Sequence, residues 1–141
     1  MTYLFDCSLS PRVPRELRAA GIDAKINKDL FLEGLADDLW LPVAGKEGWI
    51  VVGRDRSYHR NPSELAALRQ YKIGCIYLGG ARARQDVLAA LFIAHQGRIE
   101  DLIQTTEKPF IYRLPLNGRI TRVPVGEEER ALFGAKIIAI P

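Results

Sequence analysis

The chain has 141 residues, of which 48% are hydrophobic, 26% charged and 9% aromatic, a globular composition that excludes a disordered tail protein and a collagen-like fibre. Cys7 and Cys75 are too few for a disulfide framework and have no partners at metal-ligand spacing, which points to a reducing compartment. The net charge of +3, from 20 Lys and Arg against 17 Asp and Glu, is too mild to identify a nucleic-acid partner, so the placement of the charges matters more than their sum.

At this length one domain is expected, with a core large enough to fold without staples. The longest nearly uncharged apolar stretch, about Val87 to Ala94, falls far short of the ~20 residues of a membrane span. Asp6 interrupts the N-terminus where a signal peptide needs its apolar run, so the expectation is a soluble cytoplasmic protein.

Thr2 to Asp6 is apolar and β-favouring and runs into Ser10-Pro11, a helix cap followed by proline at the first helical position. The helix that follows places Val13, Leu17 and Ala20 on one face, with Arg12, Arg15 and Arg18 elsewhere, and stops at Gly21. Ile22 to Ile26 reads as a short strand, Asn27 to Gly34 as irregular, and Asp37-Asp38 as the start of a second helix, whose dipole favours acidic residues there. Pro42 fits an early turn of that helix or a kink.

Trp49 to Val52 is an uninterrupted apolar run of the kind buried in a parallel sheet, ending in Gly53-Arg54-Asp55-Arg56. Asn61-Pro62 caps a third helix carrying Leu65, Ala66 and Leu68, and Ile73 to Leu78 is another buried strand that turns at Gly79-Gly80. A fourth helix spans about Gln85 to His95, and a shorter one after Gly97 carries Ile99, Leu102 and Ile103. Pro109 to Tyr112 is a fifth strand, and Asn117-Gly118 is a hairpin signal leading to Ile120 to Val123. The remainder, from Glu127 to Pro141, fits a short helix and strand or an arm that packs on a partner. The expected organisation is a domain over residues 1–123, hairpin included, and a C-terminal tail over 124–141.

Strands alternating with helices predict an α/β domain with a mostly parallel sheet and right-handed crossovers. In such sheets ligands bind outside the carboxyl ends of the strands. Two early strands end there in an aspartate, Asp6 and Asp55, and the pair Asp37-Asp38 opens the helix leading to the second. If the first and third strands are neighbours, these carboxylates converge. Oxygen-only coordination of this kind suits Mg²⁺ or Mn²⁺, without which the carboxylates repel one another. Taken singly, each aspartate is also an ordinary turn, cap or first-turn residue.

These residues carry a family resemblance. The opening YLFDCSLSPR, the acidic helix ADDLWLPVAGKEGW and the run IVVGRDRSYHRNPSEL resemble PIN-like domains, in particular the branch that includes VapC-type toxins of toxin-antitoxin systems. The likeness covers about residues 3 to 113 and leaves the hairpin and tail unexplained. It implies a three-layer α/β/α PIN-like domain with a mostly parallel central sheet. It also implies a metal-dependent endoribonuclease, the toxin of a type II pair, with Asp6, Asp37 and Asp55 as catalytic Mg²⁺ or Mn²⁺ ligands. Asp38 would serve a second metal or a water. The partners implied are an RNA substrate, a cognate antitoxin and a second copy of the chain in a homodimer. Three departures stand out: Cys7 and Ser8 follow Asp6 where relatives often carry Glu or Asn, Gly53 replaces the usual Thr, and Ser57 replaces a second Asp. A weakened metal site, and with it a catalytically weakened RNA-binding member, is the alternative that these departures raise.

Arg54, Arg56 and Arg60 flank Asp55 and its strand end, and Arg82 and Arg84 follow the Gly79-Gly80 turn, all where RNA phosphates would be held. Tyr58 and Trp40 are stacking candidates, with Trp40 better placed for the core, His59 is a candidate proton shuttle, and His95 fits a helix C-terminal cap. Cys7 reads as a small buried filler rather than a reactive thiol. Neither the Walker pattern nor GxGxxG occurs. A receiver-like phosphoacceptor domain is a competing class, with Asp55 as the acceptor and Lys108 as its answering cation. Against it, this chain has Asp6-Cys7 where receivers place an acidic pair at the first strand end, and Gly79 where they place a Ser or Thr at the fourth.

Overall fold

A computed structural model describes residues 1–32, 34–54, 62–80, 82–126 and 138–139. Strand β1, Tyr3–Phe5, is buried on both faces, with Tyr3 and Phe5 turned to one core and Leu4 to the other, as the period-2 geometry of a strand requires. Helix α1, Arg12–Ala19, buries Val13, Pro14 and Leu17. It ends one residue before Ala20, which is therefore exposed instead of completing the apolar face. Strand β2, Ala24–Ile26, follows, and then a one-turn helix α2, Asn27–Leu30, where an irregular stretch was expected. Its turn closes with the Phe31 N–H donating to the Asn27 carbonyl at 2.9 Å.

Helix α3, Asp37–Glu47, opens on Asp37 and continues through Pro42, which removes the N–H that would bond the carbonyl of Asp38. Gly48 ends it with φ of 72°, a left-handed cap that glycine adopts without a Cβ clash. Strand β3, Ile50–Arg54, is buried throughout. Helix α4, Pro62–Tyr71, buries Leu65, Ala67 and Leu68, and Ala66 faces solvent. Then come β4, Gly74–Leu78, α5, Gln85–Ala94, and α6, Gln96–Thr105, which starts before Gly97 rather than after it. The chain finishes with β5, Phe110–Leu114, β6, Thr121–Val123, and β7, Ile138–Ala139.

The sheet order is β2-β1-β3-β4-β5-β6-β7. The first five strands are parallel, and β6 and β7 add to the β5 edge antiparallel. The β5–β6 connection turns at Asn117-Gly118 as expected, with the Gly118 N–H on the Pro115 carbonyl at 2.9 Å. Residues 138 and 139 belong to the stretch expected as a tail and form the outermost strand. One apolar layer joins the sheet to α1, α5 and α6, and the other joins it to α3 and α4. The protein is thus a three-layer α/β/α fold with a mostly parallel sheet. No helix among the described residues is long and apolar enough to cross a membrane.

The order matters for the site. From β1 the chain crosses to β2 on one side and then returns to β3 on the other, so the sheet reverses direction between β1 and β3. Helices diverge at such a switch point and leave a crevice at the carboxyl ends of the strands.

Candidate functional site

Asp6 is the first residue past β1 and stands at that switch point. Its N–H donates to the Val52 carbonyl at 2.9 Å, which continues the ladder to β3. Asp6 is 9% exposed, and a buried carboxylate needs hydrogen-bond donors. Ser8 supplies two: its N–H reaches Oδ1 at 2.8 Å, and its hydroxyl donates to the same oxygen. The Ser8 hydroxyl in turn accepts the Arg54 N–H at 2.9 Å. One serine therefore joins the ends of β1 and β3 and fixes the carboxylate between them.

The other face of Asp6 rests on Gly53. A Cβ at position 53 would lie 2.5 Å from Oδ2, so the carboxylate occupies space that any other residue would fill. Glycine lets Asp6 sit against the backbone of β3.

Asp37, at the first turn of α3, brings a second carboxylate to the same place. Its Oδ1 accepts the Trp40 Nε1–H at 3.0 Å, and Trp40 is itself buried, in keeping with its expected place in the core. A third acid, given no role in the sequence reading, arrives from α4: Glu64 hydrogen-bonds Asp37. Burial, that bond, and the charges of Asp37 and Asp6 together push the Glu64 carboxyl up to about 8. Cys75 lies fully buried behind it, and burial first, then Asp6 and Glu64, drives its thiol strongly upward.

Two spaces meet at these acids. An open cleft of about 570 Å³ runs along the carboxyl ends of β1 and β2 and is lined in part by Asp6, Cys7, Ser8, Asn27, Lys28 and Asp37. Behind it a space of about 20 Å³, bounded in part by Asp6, Asp37, Glu64, Cys75 and Tyr77, has room for one water-sized occupant. Asp6 and Asp37 border both. Cys7 is exposed instead of buried as expected, because it lies in the turn after β1, and its thiol meets Asn27 Oδ1 at 3.5 Å. Asn27 is 4% exposed, and its Nδ2 has no hydrogen-bond partner among the described residues.

Asp55, Arg56, Tyr58, His59 and Arg60 lie outside the described residues, as does the side chain of Asp38. Of the basic residues expected to hold RNA, Arg82 is exposed. Arg54 is 8% exposed and donates to the Ala83 carbonyl at 3.3 Å. β3 runs one residue past Gly53, which places Arg54 inside the end of the strand. His95 caps α5, with Nδ1 on the Leu91 carbonyl at 2.9 Å. Lys108 precedes β5 and donates to the Gly48 carbonyl at 3.4 Å, at the end of the parallel sheet opposite Asp6.

Among the described residues no group of three or more His, Cys, Asp or Glu is gathered tightly enough to hold a metal ion. The acids Asp6 and Asp37 present only oxygens to the cleft, the donor type that a hard divalent cation takes. No curated protein and no solved structure matches the chain. A family model described as PIN like domain matches residues 1–80, the segment that builds β1 to β4 and carries all three described acids. With more than half of its length so matched and the corresponding α/β/α fold around it, the chain belongs to the PIN-like domain family.

Proposed function

We propose that this protein is a divalent-metal-dependent endoribonuclease in which Asp6, Asp37 and Asp55 hold Mg²⁺ or Mn²⁺ and Asp38 serves a second metal or a water. PIN-like domains are commonly nucleases. The observation that carries the reading is the convergence of Asp6 and Asp37 on one cleft at the β1–β3 switch point.

In this mechanism Ser8 and the β3 backbone keep Asp6 in one orientation, so that the carboxylate needs no reorganisation when charge develops nearby. Trp40 does the same for Asp37. The chemistry a bound divalent cation supplies is activation of a water and neutralisation of charge on an in-line attacked phosphodiester. The cleft receives the RNA strand. Exposed Lys28 and Arg82 offer cations to its phosphates, and Arg56 and Arg60 extend that set in the sequence-based reading. No protein nucleophile is required.

Membership of a toxin-antitoxin pair is the finer form of the proposal. A toxin must be restrained, and an antitoxin segment covering the acidic cleft, with homodimerisation of the toxin, accomplishes that. The receiver reading draws no support from Lys108, whose ammonium donates to the Gly48 carbonyl, at the end of the parallel sheet opposite Asp6.

The test is cleavage of RNA by purified protein in Mg²⁺ or Mn²⁺, with EDTA and Asp6→Asn as controls. Activity lost in both supports the mechanism, and activity that survives both refutes it. RNA binding without cleavage would favour the catalytically weakened alternative.

A further inference from the structure

Asn27 has no part in the mechanism above, yet it bounds the cleft on the β2 side. It is the first residue past β2 as Asp6 is the first past β1, and the two strands end level, with Phe5 opposite Ile26. Both residues line the open cleft at the carboxyl end of the sheet. Asn27 is 4% exposed. Its Oδ1 meets the Cys7 thiol, a weak donor, at 3.5 Å, whereas Nδ2 has no partner among the described residues and no solvent reaches it. A buried donor left unpaired is costly, and native folds keep few of them. Folding has already stripped this donor of water, so an acceptor arriving in the cleft gains a hydrogen bond without that cost. The terminal torsion of asparagine is broad, and the weak thiol contact does not lock it, so the amide can turn its N–H towards the cleft.

We propose that the Asn27 amide is a substrate-binding group of this cleft, whose Nδ2–H donates to a phosphate oxygen of the bound strand. Lys28, next in the chain, is exposed and lines the same cleft, and it selects that acceptor. Its ammonium draws phosphates to this wall, and the amide beside it adds a direction that a point charge lacks. The inference rests on the RNA reading above. It gives a positioning role to residues 27 and 28, in a stretch that the sequence marks only as irregular.

The experiment measures the affinity of the full chain for a labelled single strand of about 10 nucleotides by fluorescence anisotropy, in EDTA so that nothing is cut and at about 50 mM salt so that phosphate contacts are not screened away. Asn27→Leu should weaken RNA binding about tenfold. Its melting temperature should equal or exceed that of the wild type, because an unpaired buried donor is gone, a result that a merely structural amide would not give. Asn27→Ala removes the amide without filling its space, should show the same loss of binding, and serves where leucine does not fold. A DNA strand of the same sequence should lose as much affinity as RNA, since both carry the phosphate. A loss confined to RNA places the bond on the 2′-hydroxyl and overturns the phosphate assignment. Melting temperatures that fall in both variants in step with binding mark a structural amide and overturn it too. If a folded variant binds within twofold of the wild type, the role of Asn27 is wrong and the RNA reading stands. If the wild type binds neither strand, the RNA reading and this inference fall together.

Discussion

Substitution of Gly53 by alanine tests the central contact of the site. The new Cβ would stand 2.5 Å from Asp6 Oδ2 and 3.2 Å from its Cγ, so the carboxylate must retreat by roughly 1 Å to reach ordinary contact distance. Asp6 cannot swing away freely. Its Oδ1 is held by the Ser8 N–H at 2.8 Å and by the Ser8 hydroxyl, which is tied to Arg54. A 1 Å retreat stretches those bonds beyond useful length. Overpacking costs about 1–3 kcal/mol, and a weakened bond to a buried charged group about 1.5–3 kcal/mol. The smaller unfolded-state entropy of alanine offsets about 0.4–1 kcal/mol. The expected net loss is about 1.5–5.5 kcal/mol, or roughly 5–19 °C in melting temperature for a domain of this size. Urea denaturation with an unchanged slope measures it. Gly80→Ala is the control, because nothing lies within 4 Å of its Cβ position, and it should stay within about 0.5 kcal/mol of the wild type. A Gly53→Ala protein as stable as that control would refute the close-approach argument.

Ser8→Ala removes both the hydroxyl bond to Asp6 and the acceptor for the Arg54 N–H. It should cost about 1–3 kcal/mol by urea denaturation and weaken Mn²⁺ binding as well. In EDTA the wild type should lose stability as pH rises from about 4.5 to about 8, since Glu64 is raised from 4.5 to about 8 by burial and by Asp37 and Asp6. Between those values the folded state binds the extra proton, so the contribution is complete below about pH 4.5 and gone above about pH 8. Solvent screening of this half-buried group limits the effect to about 1–2 kcal/mol. Glu64→Gln should flatten that part of the melting profile, and an unaltered profile would contradict the placement of Glu64 against Asp37. Gly97→Ala should stabilise by about 0.5–1 kcal/mol, because the residue is helical, in α6, with nothing within 4 Å of a Cβ. Thermal melts that show a loss instead would mean that the start of α6 is not helical in solution.

What was legible in the sequence was local. β1, β3 and β4 follow from short apolar runs, α1 from a cap and a 4,3 spacing, and the β5–β6 hairpin from Asn117-Gly118. Each depends on neighbours within a few residues. Asp6 was marked as a site residue because a strand ending in aspartate is itself a local pattern, and the α/β alternation told where such ends collect. The tertiary structure alone decided which groups meet. Strand order places β1 beside β3 and sets the row Phe5–Val52, so that Asp6 falls on Gly53 and Ser8 reaches Arg54. Glu64 looks in the sequence like any acidic first-turn residue and becomes part of the site only because α4 packs beside α3. Cys7 and Arg54 went the other way, one outward and one inward, because the strand ends lie a residue from where composition suggests. Periodicity reports which side of an element is buried. It carries no record of which distant element covers that side, and the chemistry of this cleft resides in those long-range encounters.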